Sequence, residues 1–373
     1  MSKIDTVISK YTFPETGDIY FVTGIADDDP YIQYTRHHYH IDTHTRFAIE
    51  RLSSGDKCID VGANIGHFTI PLGKMGIKIL AIEALPNNYY LLSKAIQENR
   101  LKNVVAIHAA ATDHGGVTKM AGTSAWGHLS EGHEGDDGRG IEVPSFRLDD
   151  LANIYDFFDA KLVKMDIEGS EVLALSGMER LIKDNKNLEI IFEENTHMST
   201  LIAANYKHRL RAAMQFLQRS GFFIYMFHNN ILVPRKPEDF QEQVSADYLA
   251  TKNTLHNNIG GFKVRQFSTE ERIKIVLEQL NYNNLINQAY VCAFIEMAPN
   301  EIRNDPRVKE SVKNVMLTED KIFRDSYMRL KAHAQQYQDQ HHDQIRGILT
   351  PLRKTGGFWR RFWGEIFGRS SVK

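Results

Sequence analysis

The chain has 373 residues, long for one compact domain, so a core plus an extension is expected. It is 42% hydrophobic and 25% charged with a formal net charge of −2, which excludes nucleic-acid binding through a bulk basic excess. Cys58 and Cys292 are too few for a disulfide framework and fit a reducing compartment. Met1 to Asp28 carries no charged-then-apolar leader, and no apolar run reaches membrane-spanning length, so the chain reads as cytoplasmic.

Three regions are expected: a leading segment over 1–50, a core over 51–237 and a helical extension over 238–373. Within the core, short apolar runs alternate with amphipathic stretches, the pattern of βα repeats around a mostly parallel sheet. The predicted strands are Lys57–Val61, Ile77–Ile82, Val104–His108, Leu162–Asp166, Leu188–Phe192, Phe222–Phe227 and Ile231–Val233. Their Ile, Val and Leu density suits burial on both faces. His228-Asn229-Asn230 separates the last two as a hairpin, so five parallel strands and an antiparallel pair are expected. That plan is an α/β, Rossmann-like sheet of the class I methyltransferase kind; a plain dinucleotide dehydrogenase would lack the hairpin.

Between the strands, Pro86 opens a helix with Leu91, Leu92, Ala95 and Ile96 on one side, and Ser170 caps one carrying Val172, Leu173, Leu175 and Leu181. Gly122 to Gly140, with five glycines among charges, reads as a loop: an idle insertion or a lid over the substrate. After Pro237 the pattern is helix without strand. Ser268-Thr-Glu-Glu271 is a capping box, and Asp305-Pro306 an N-cap followed by proline. From Thr318 to about Ile348, Phe323, Tyr327, Leu330, Ala334, Tyr337 and His341 keep four-three spacing, a weak seam for self-association or for packing on the core.

The strongest signal is Cys58-Ile-Asp-Val-Gly-Ala-Asn-Ile-Gly66, a buried strand that ends in an acid and a glycine-bearing turn into a helix. Gly62 and Gly66 let backbone approach a ligand, and the turn offers N–H groups at a helix N-terminus. A pyrophosphate-binding turn prefers G-x-G-x-x-G, whose second glycine here is Asn64. A carboxylate at Asp60 repels pyrophosphate and suits a ligand with an ammonium and a sulfonium, which favours S-adenosylmethionine over NAD. Glu83 ends the next strand, where a carboxylate can accept both ribose hydroxyls.

Asp60-Val-Gly-Ala-Asn-Ile-Gly66, Glu83 with Pro86, Leu148-Asp-Asp-Leu151 and Lys164-Met-Asp-Ile-Glu-Gly-Ser-Glu171 together resemble the FkbM-type methyltransferases over about Glu50 to Asn195. The resemblance implies S-adenosylmethionine as cofactor and O-methylation of sugars, polyketides and surface-glycan products. It places Asp60, Gly62, Ala63, Asn64 and Gly66 on the methionine part and Glu83 on the ribose. It sets Ala110, Ala111, Thr112 and Asp113 beside the adenine and gives His67 no role.

Methyl transfer from a sulfonium is an in-line displacement whose leaving group needs no acid; an alcohol acceptor needs alignment, dryness and a destination for its proton. Asp166 is the first candidate for general base or for orienting the hydroxyl, with Glu168 and Lys164 behind it. The next strand ends in Glu193-Glu-Asn-Thr-His197, where His197 is an alternative base. Asp166 and Glu193 could instead share a divalent metal, but no local spacing demands one and no metal site is assigned. His37, His38, His40 and His44 lack the partners of a zinc site and read as surface or acceptor-binding residues, although His40 and His44 could share a helix face.

Near the C-terminus, Phe358, Trp359, Phe362, Trp363, Ile366 and Phe367 share one helical face opposite Arg360 and Arg361. That is the composition of an interfacial membrane helix, or of a face docked on protein. The sequence therefore reads as a methyltransferase acting on a small-molecule or glycan hydroxyl, cytoplasmic or peripheral on the cytoplasmic membrane face. N- or carboxyl-methyl transfer, and a membrane-associated scaffold that keeps the fold, are the alternatives.

Overall fold

A computed structural model describes residues 5–24, 36–121, 128–129, 140–194, 213–235, 246–255, 258–281 and 300–317, with single residues at 33, 288, 291, 292, 295, 324, 327, 328 and 331. The chain divides into two compact units, 1–237 with 242–265, and 238–241 with 266–373.

The first unit opens with a hairpin that the sequence pattern did not disclose, β1 (Thr6–Phe13) against β2 (Gly17–Gly24). Ile19, Phe21 and Val22 are buried with Leu91 and Ala95 of the first long helix of the core. Helix α1 (Thr43–Arg51) follows, its first turn capped by Asp42, which accepts the Thr45 N–H at 2.7 Å. His40 lies outside this helix, so His40 and His44 do not share a helix face.

The repeats then run β3 (Lys57–Val61), α2 (Thr69–Lys74), β4 (Lys78–Glu83), α3 (Pro86–Glu98) and β5 (Val104–His108). Proline at the first turn and buried Leu91, Leu92 and Ala95 give α3 the predicted character. A small second sheet comes next, ordered β6 (Ala110–Ala111), β9 (Ile141–Phe146), β7 (Gly116–Ala121), β8 (His128–Leu129). Of the expected Gly122–Gly140 loop, β8 and Gly140 are the parts within the described residues. Helix α4 (Leu148–Tyr155) leads to β10 (Leu162–Met165). The single helix expected after Ser170 is two, α5 (Glu171–Ser176) and α6 (Glu179–Asp184). They part at Gly177, where a Cβ would meet the Thr112 carbonyl oxygen at 2.1 Å.

Strand β11 (Glu189–Glu194), a helix α7 over 213–219, and the hairpin β12 (Phe223–His228) and β13 (Ile231–Arg235) complete the expected set. The chain after Pro237 is not helix alone. Strand β14 (Ala246–Thr251) enters the sheet between β11 and β12, antiparallel to both, and β15 (Lys263–Val264) pairs with β13. The sheet order is β15-β13-β12-β14-β11-β10-β3-β4-β5. Six strands run parallel and β14, β13 and β15 run against them, so the predicted parallel core and antiparallel end both stand, with β14 as the unforeseen member.

Arg51 donates from Nε to Glu189 Oε2 at 2.9 Å and from its terminal nitrogen to Oε1 at 2.5 Å, which fastens α1 to β11. Phe47 of α1 packs edge-on against Phe227 and Phe262. In the second unit, α8 (Thr269–Asn281), α9 (Asn300–Arg303) and α10 (Pro306–Met316) follow the expected caps. Ser268 N–H donates to Glu271 at 2.9 Å, Glu271 N–H donates back to Ser268 Oγ at 3.3 Å, and Asp305 accepts from Arg307 and Val308. The proposed 318–348 seam and Phe358–Phe367 face lie outside the described residues, apart from single positions in the former. Among the described residues, no helix is long and apolar enough to cross a membrane.

Asn99 holds the opening hairpin to the core: its Oδ1 accepts Tyr20 N–H at 2.9 Å, and its Nδ2 donates to the carbonyls of Tyr20 at 2.6 Å and Ala95 at 2.7 Å. An Asn99→Ala variant strips the Tyr20 N–H and carbonyl of these partners, while the Ala95 carbonyl keeps the backbone N–H of residue 99 at 3.0 Å. It should lower stability in urea by about 1–3 kcal/mol at unchanged slope; an unmoved midpoint would show the hairpin docks by apolar contact alone.

Candidate functional site

A cavity of about 300 Å³ opens where β3, β4, β10 and β11 end, on the edge at which open α/β sheets bind ligands. Its walls include Gly62, Ala63 and Asn64 from the turn after β3, Glu83 to Leu85 after β4, Ala109 to Ala111 around β6, and Lys164, Asp166, Ile167 and Glu168 at the end of β10.

The turn is held from two sides. Gly62, with φ +77°, brings the backbone against β10 so closely that a Cβ would lie 1.9 Å from the Asp166 carbonyl oxygen. The N–H groups of Gly62 and Ala63 donate to the Ile82 carbonyl at 2.9 and 3.0 Å, and Asn64 N–H donates to Glu83 Oε2 at 2.8 Å. These donors therefore stitch β3 to β4 instead of facing a ligand, a correction to the expected N–H display. Gly66 is also a packing glycine: it does not line the cavity, and a Cβ there would meet Ile70 and Leu92 at 2.9 Å. Asn64 adopts φ +50°, a left-handed conformation that asparagine tolerates, and its buried Oδ1 has no hydrogen-bond partner.

Asp60 is fully buried behind the turn and does not line the cavity. It accepts Thr69 Oγ1 at 2.5 Å and lies 3.8 Å from Lys164 Nζ; burial lifts its carboxyl above the ordinary range, against the pull of Lys164. Glu83 does face the cavity, with its two oxygens aimed by Asn64 N–H and by Leu85 N–H at 2.8 Å. Next to it Leu85, Ala110, Met120 and Leu129 form a buried apolar wall, with Leu173 against it. Ala110 and Ala111 reach the cavity. Thr112 and Asp113 do not: Thr112 Oγ1 donates to the His114 carbonyl at 2.6 Å, and Asp113 pairs outward with His114 at 2.7 Å.

The other end is polar. Lys164 Nζ donates to Asp166 Oδ2 at 3.1 Å. Burial alone would discharge this lysine, yet Asp166 and Asp60 together raise its affinity for the proton. Asp166, Glu168 and Glu193 bring one carboxylate oxygen each within 4.8 Å of one another. Burial and then Asp166 push Glu193 up, whereas Lys164 and a hydrogen bond with Glu193 hold Asp166 down against burial, so of the two acids Glu193 is the one whose neutral form is favoured. Lys164 and the neutral form of Glu193 offset the crowded charge from within the chain. Glu168 has φ +49°, strain of the kind found at functional turns. His197 lies outside the described residues.

The wall also takes in Asp42 before α1, Asn88 of α3, His67, Met120 and Leu129, which no motif singles out for the site, together with His44, one of the histidines expected as surface or acceptor-binding, and Glu193, named beside Asp166 in the metal alternative. His44 Nε2 lies 2.9 Å from Asp247 of β14. His67 is buried beside Tyr39 and Phe21, and burial lowers its pKa to about 4. No local spacing in the sequence could have joined Asp42 or His44 to Asp166, since they meet only through the sheet.

Burial lifts the Glu83 carboxyl to about 7, although the N–H groups of Leu85 and Asn64 work against that rise. Below pH 4.5 the acid is neutral in both folded and unfolded chains and burying it has little charge cost. Between 4.5 and about 7 the unfolded chain ionises first, so stability falls as pH rises, and above 7 the loss is complete. Relative to Glu83→Gln, the wild type should lose on the order of 3 kcal/mol between pH 4.5 and pH 8 in urea unfolding. A difference independent of pH would show that Glu83 ionises as freely folded as unfolded.

The residues present fit S-adenosylmethionine. A buried carboxylate faces the cavity beside an apolar slot, an unpartnered amide oxygen lies in the turn, and acids surround the other end, where a sulfonium and an ammonium are welcome. Among solved structures the chain is similar to precorrin-6y C5,15-methyltransferase from Geobacter metallireducens GS-15, at 14% identity and a TM-score of 0.33, covering 56% of this chain and 87% of that one. It is similar to TYW2 from P. horikoshii in complex with MeSAdo, at 12% identity and a TM-score of 0.35, covering 68% and 74%. A TehB-like SAM-dependent methyltransferase from Corynebacterium glutamicum shows 14% identity and a TM-score of 0.32, covering 60% and 94%. Such distant likenesses say nothing of the acceptor. No curated protein matches the sequence. Residues 60–224 match the methyltransferase FkbM domain. Over that span the chain carries an FkbM-type methyltransferase domain, with S-adenosylmethionine as its cofactor.

Proposed function

We propose that this enzyme O-methylates a hydroxyl of a sugar or glycan. The observation that carries the reading is the polar end of the cavity, where Asp42, His44, Lys164, Asp166, Glu168 and Glu193 converge within one wall. A polyhydroxylated acceptor is recognised by such groups, because each carboxylate oxygen can accept a hydroxyl and Lys164 can donate to a ring or ether oxygen.

The cofactor supplies a methyl group on a sulfonium, activated for in-line displacement. Glu83 would hold the ribose hydroxyls with the lone pairs its backbone donors leave open, and the slot of Leu85, Ala110, Met120 and Leu129 would take the adenine. Asn64 Oδ1 would accept from the amino-acid end. Asp166, kept ionised by Lys164, would orient the acceptor hydroxyl along the line of attack and favour the cationic donor. Asp42, Asp166 and Glu168 facing Lys164, with Glu193 favoured in its neutral form, set the charge preference toward neutral or cationic acceptors over phosphorylated ones. The Phe358–Phe367 face, a proposal from composition alone, would bring the domain to lipid-linked acceptors at the cytoplasmic membrane face.

Calorimetry with S-adenosylhomocysteine, followed by methyl transfer to a panel of neutral, amino and phosphorylated methyl glycosides, tests this. Neutral or amino glycosides should be methylated and phosphorylated ones refused. Asp166→Asn should lower kcat about 100-fold or more with cofactor affinity kept within a few-fold. Methylation confined to carboxylates would sink the glycan reading. Tight cofactor binding without turnover on any acceptor class would favour the scaffold.

A further inference from the structure

The family-matched span, 60–224, does not supply the whole cavity. His44 reaches it from α1, and the carboxylate that holds His44 comes from β14, on the far side of the match. The imidazole is enclosed: Phe227 of β12 stands edge-on at 5.5 Å, and Asp247 Oδ2 lies 2.9 Å from Nε2.

We propose that His44, oriented by Asp247, is the general base that takes the acceptor's proton during methyl transfer, an inference that rests on the O-methyl transfer proposed above. Four of the other titratable groups of the wall are engaged elsewhere. Asp166 is hydrogen-bonded to Lys164 and held below the ordinary carboxylate range, which makes it a weak base, and burial and Asp166 push Glu193 toward its neutral form. Asp42 caps α1 through Thr45 N–H. His67 is sealed among Tyr39 and Phe21 and resists protonation. Asp247 Oδ2 lies 2.9 Å from Nε2 as an ion-pair contact, without the alignment of a hydrogen bond, and it fixes the ring by charge.

The step balances. A lone pair of the acceptor oxygen forms the new C–O bond as the S–CH₃ bond breaks and its pair returns to sulfur. The O–H pair stays on oxygen and the proton passes to the imidazole of His44. The products are a methyl ether, a neutral sulfide and an imidazolium that Asp247 offsets. Asp247 does not line the cavity, so it is a positioning residue.

The charged groups facing His44 are Asp247 from β14, Asp42 from its own segment, and Lys164 and Asp166 from the end of β10. Burial opposes protonation most strongly and Lys164 adds to it, but Asp247 and Asp42 prevail and raise the imidazole above its ordinary pKa. The neutral, active form therefore accumulates only as pH rises through that raised value. The acid limb of kcat/KM should lie above the usual histidine range, and Asp247→Asn should move it to lower pH.

With the glycoside best methylated in the panel, His44→Gln should lose 100-fold or more in kcat and its acid limb, at unchanged S-adenosylhomocysteine affinity and urea midpoint. Asp247→Asn should shift the limb and lower kcat less. A His44→Gln variant within threefold of wild-type kcat, a limb unmoved by Asp247→Asn, or activity abolished by a chelator and restored by Mg²⁺ in both His44→Gln and wild type would overturn the proposal. If no glycoside is methylated, the glycan reading falls on its own. The dyad is then read by NMR titration of His44 in the S-adenosylhomocysteine complex. A pKa above 6.5 that drops in Asp247→Asn supports it; one that does not move overturns it.

Discussion

The site is organised around a buried ammonium. Lys164 lies in the middle of the sheet, directly opposite Asp60 in the pairing of β10 with β3, with Asp166 two residues ahead. A cation at that depth is tolerated only because carboxylates face it on both sides, and each of them is in turn tolerable only because of it. Removing one partner of such a set typically costs about 3–5 kcal/mol, because the others are left buried and unmatched. The same set divides labour between its acids. Asp60, hydrogen-bonded to Thr69 behind the turn, serves the fold, while Asp166 opens on the cavity and serves the chemistry.

From this centre the geometry of the cofactor half follows. The β3 turn must press against β10 to close over Asp60, which only a glycine at 62 allows, and its N–H groups are then drawn to β4. That stitching aims Glu83, whose oxygens are placed by Asn64 and Leu85 rather than by any partner of its own charge. The spacing of acid, glycine and acid is thus one mechanical unit: the first acid anchors a lysine, the glycine permits the approach, and the second acid accepts the N–H of the turn.

How much of this can be read in the sequence depends on whether a residue's partner is local. Lys57–Val61, Val104–His108, the Pro86 helix and the Ser268 capping box announce themselves, because apolar density, proline and capping chemistry act within a few residues. Glu83 was legible as a residue of the cavity wall; Asp60 was expected beside it, but its burial behind the turn depends on Lys164 a hundred residues later. Strand β14 escaped notice because Ala246–Thr251 is short and mixed, with Asp247 and Thr251 interrupting the apolar run, and only pairing to strands on both sides makes it a strand. The opening hairpin was hidden for a similar reason: β1 is largely exposed, and its partner gains burial only in the fold, against Tyr39, Ile70 of α2 and Leu91 and Ala95 of α3.

The two halves of the cavity therefore differ in origin. Motif residues near β3 and β4 build the end suited to the cofactor, where every enzyme using the same donor meets the same demands, and those at the end of β10 stand at the polar end. The opposite wall draws Asp42 and His44 from before the matched span and relies on Asp247 from after it. An acceptor is what distinguishes one methyltransferase from the next, so its recognition can be expected on elements free to vary around a fixed centre. Here those elements are not loops but a capped helix and a strand inserted in the sheet, fastened by Arg51 to Glu189 and by the Phe47, Phe227 and Phe262 cluster. That rigidity is what a proton acceptor needs: an imidazole held by secondary structure stays in line with the reacting oxygen without ordering a loop at each turnover.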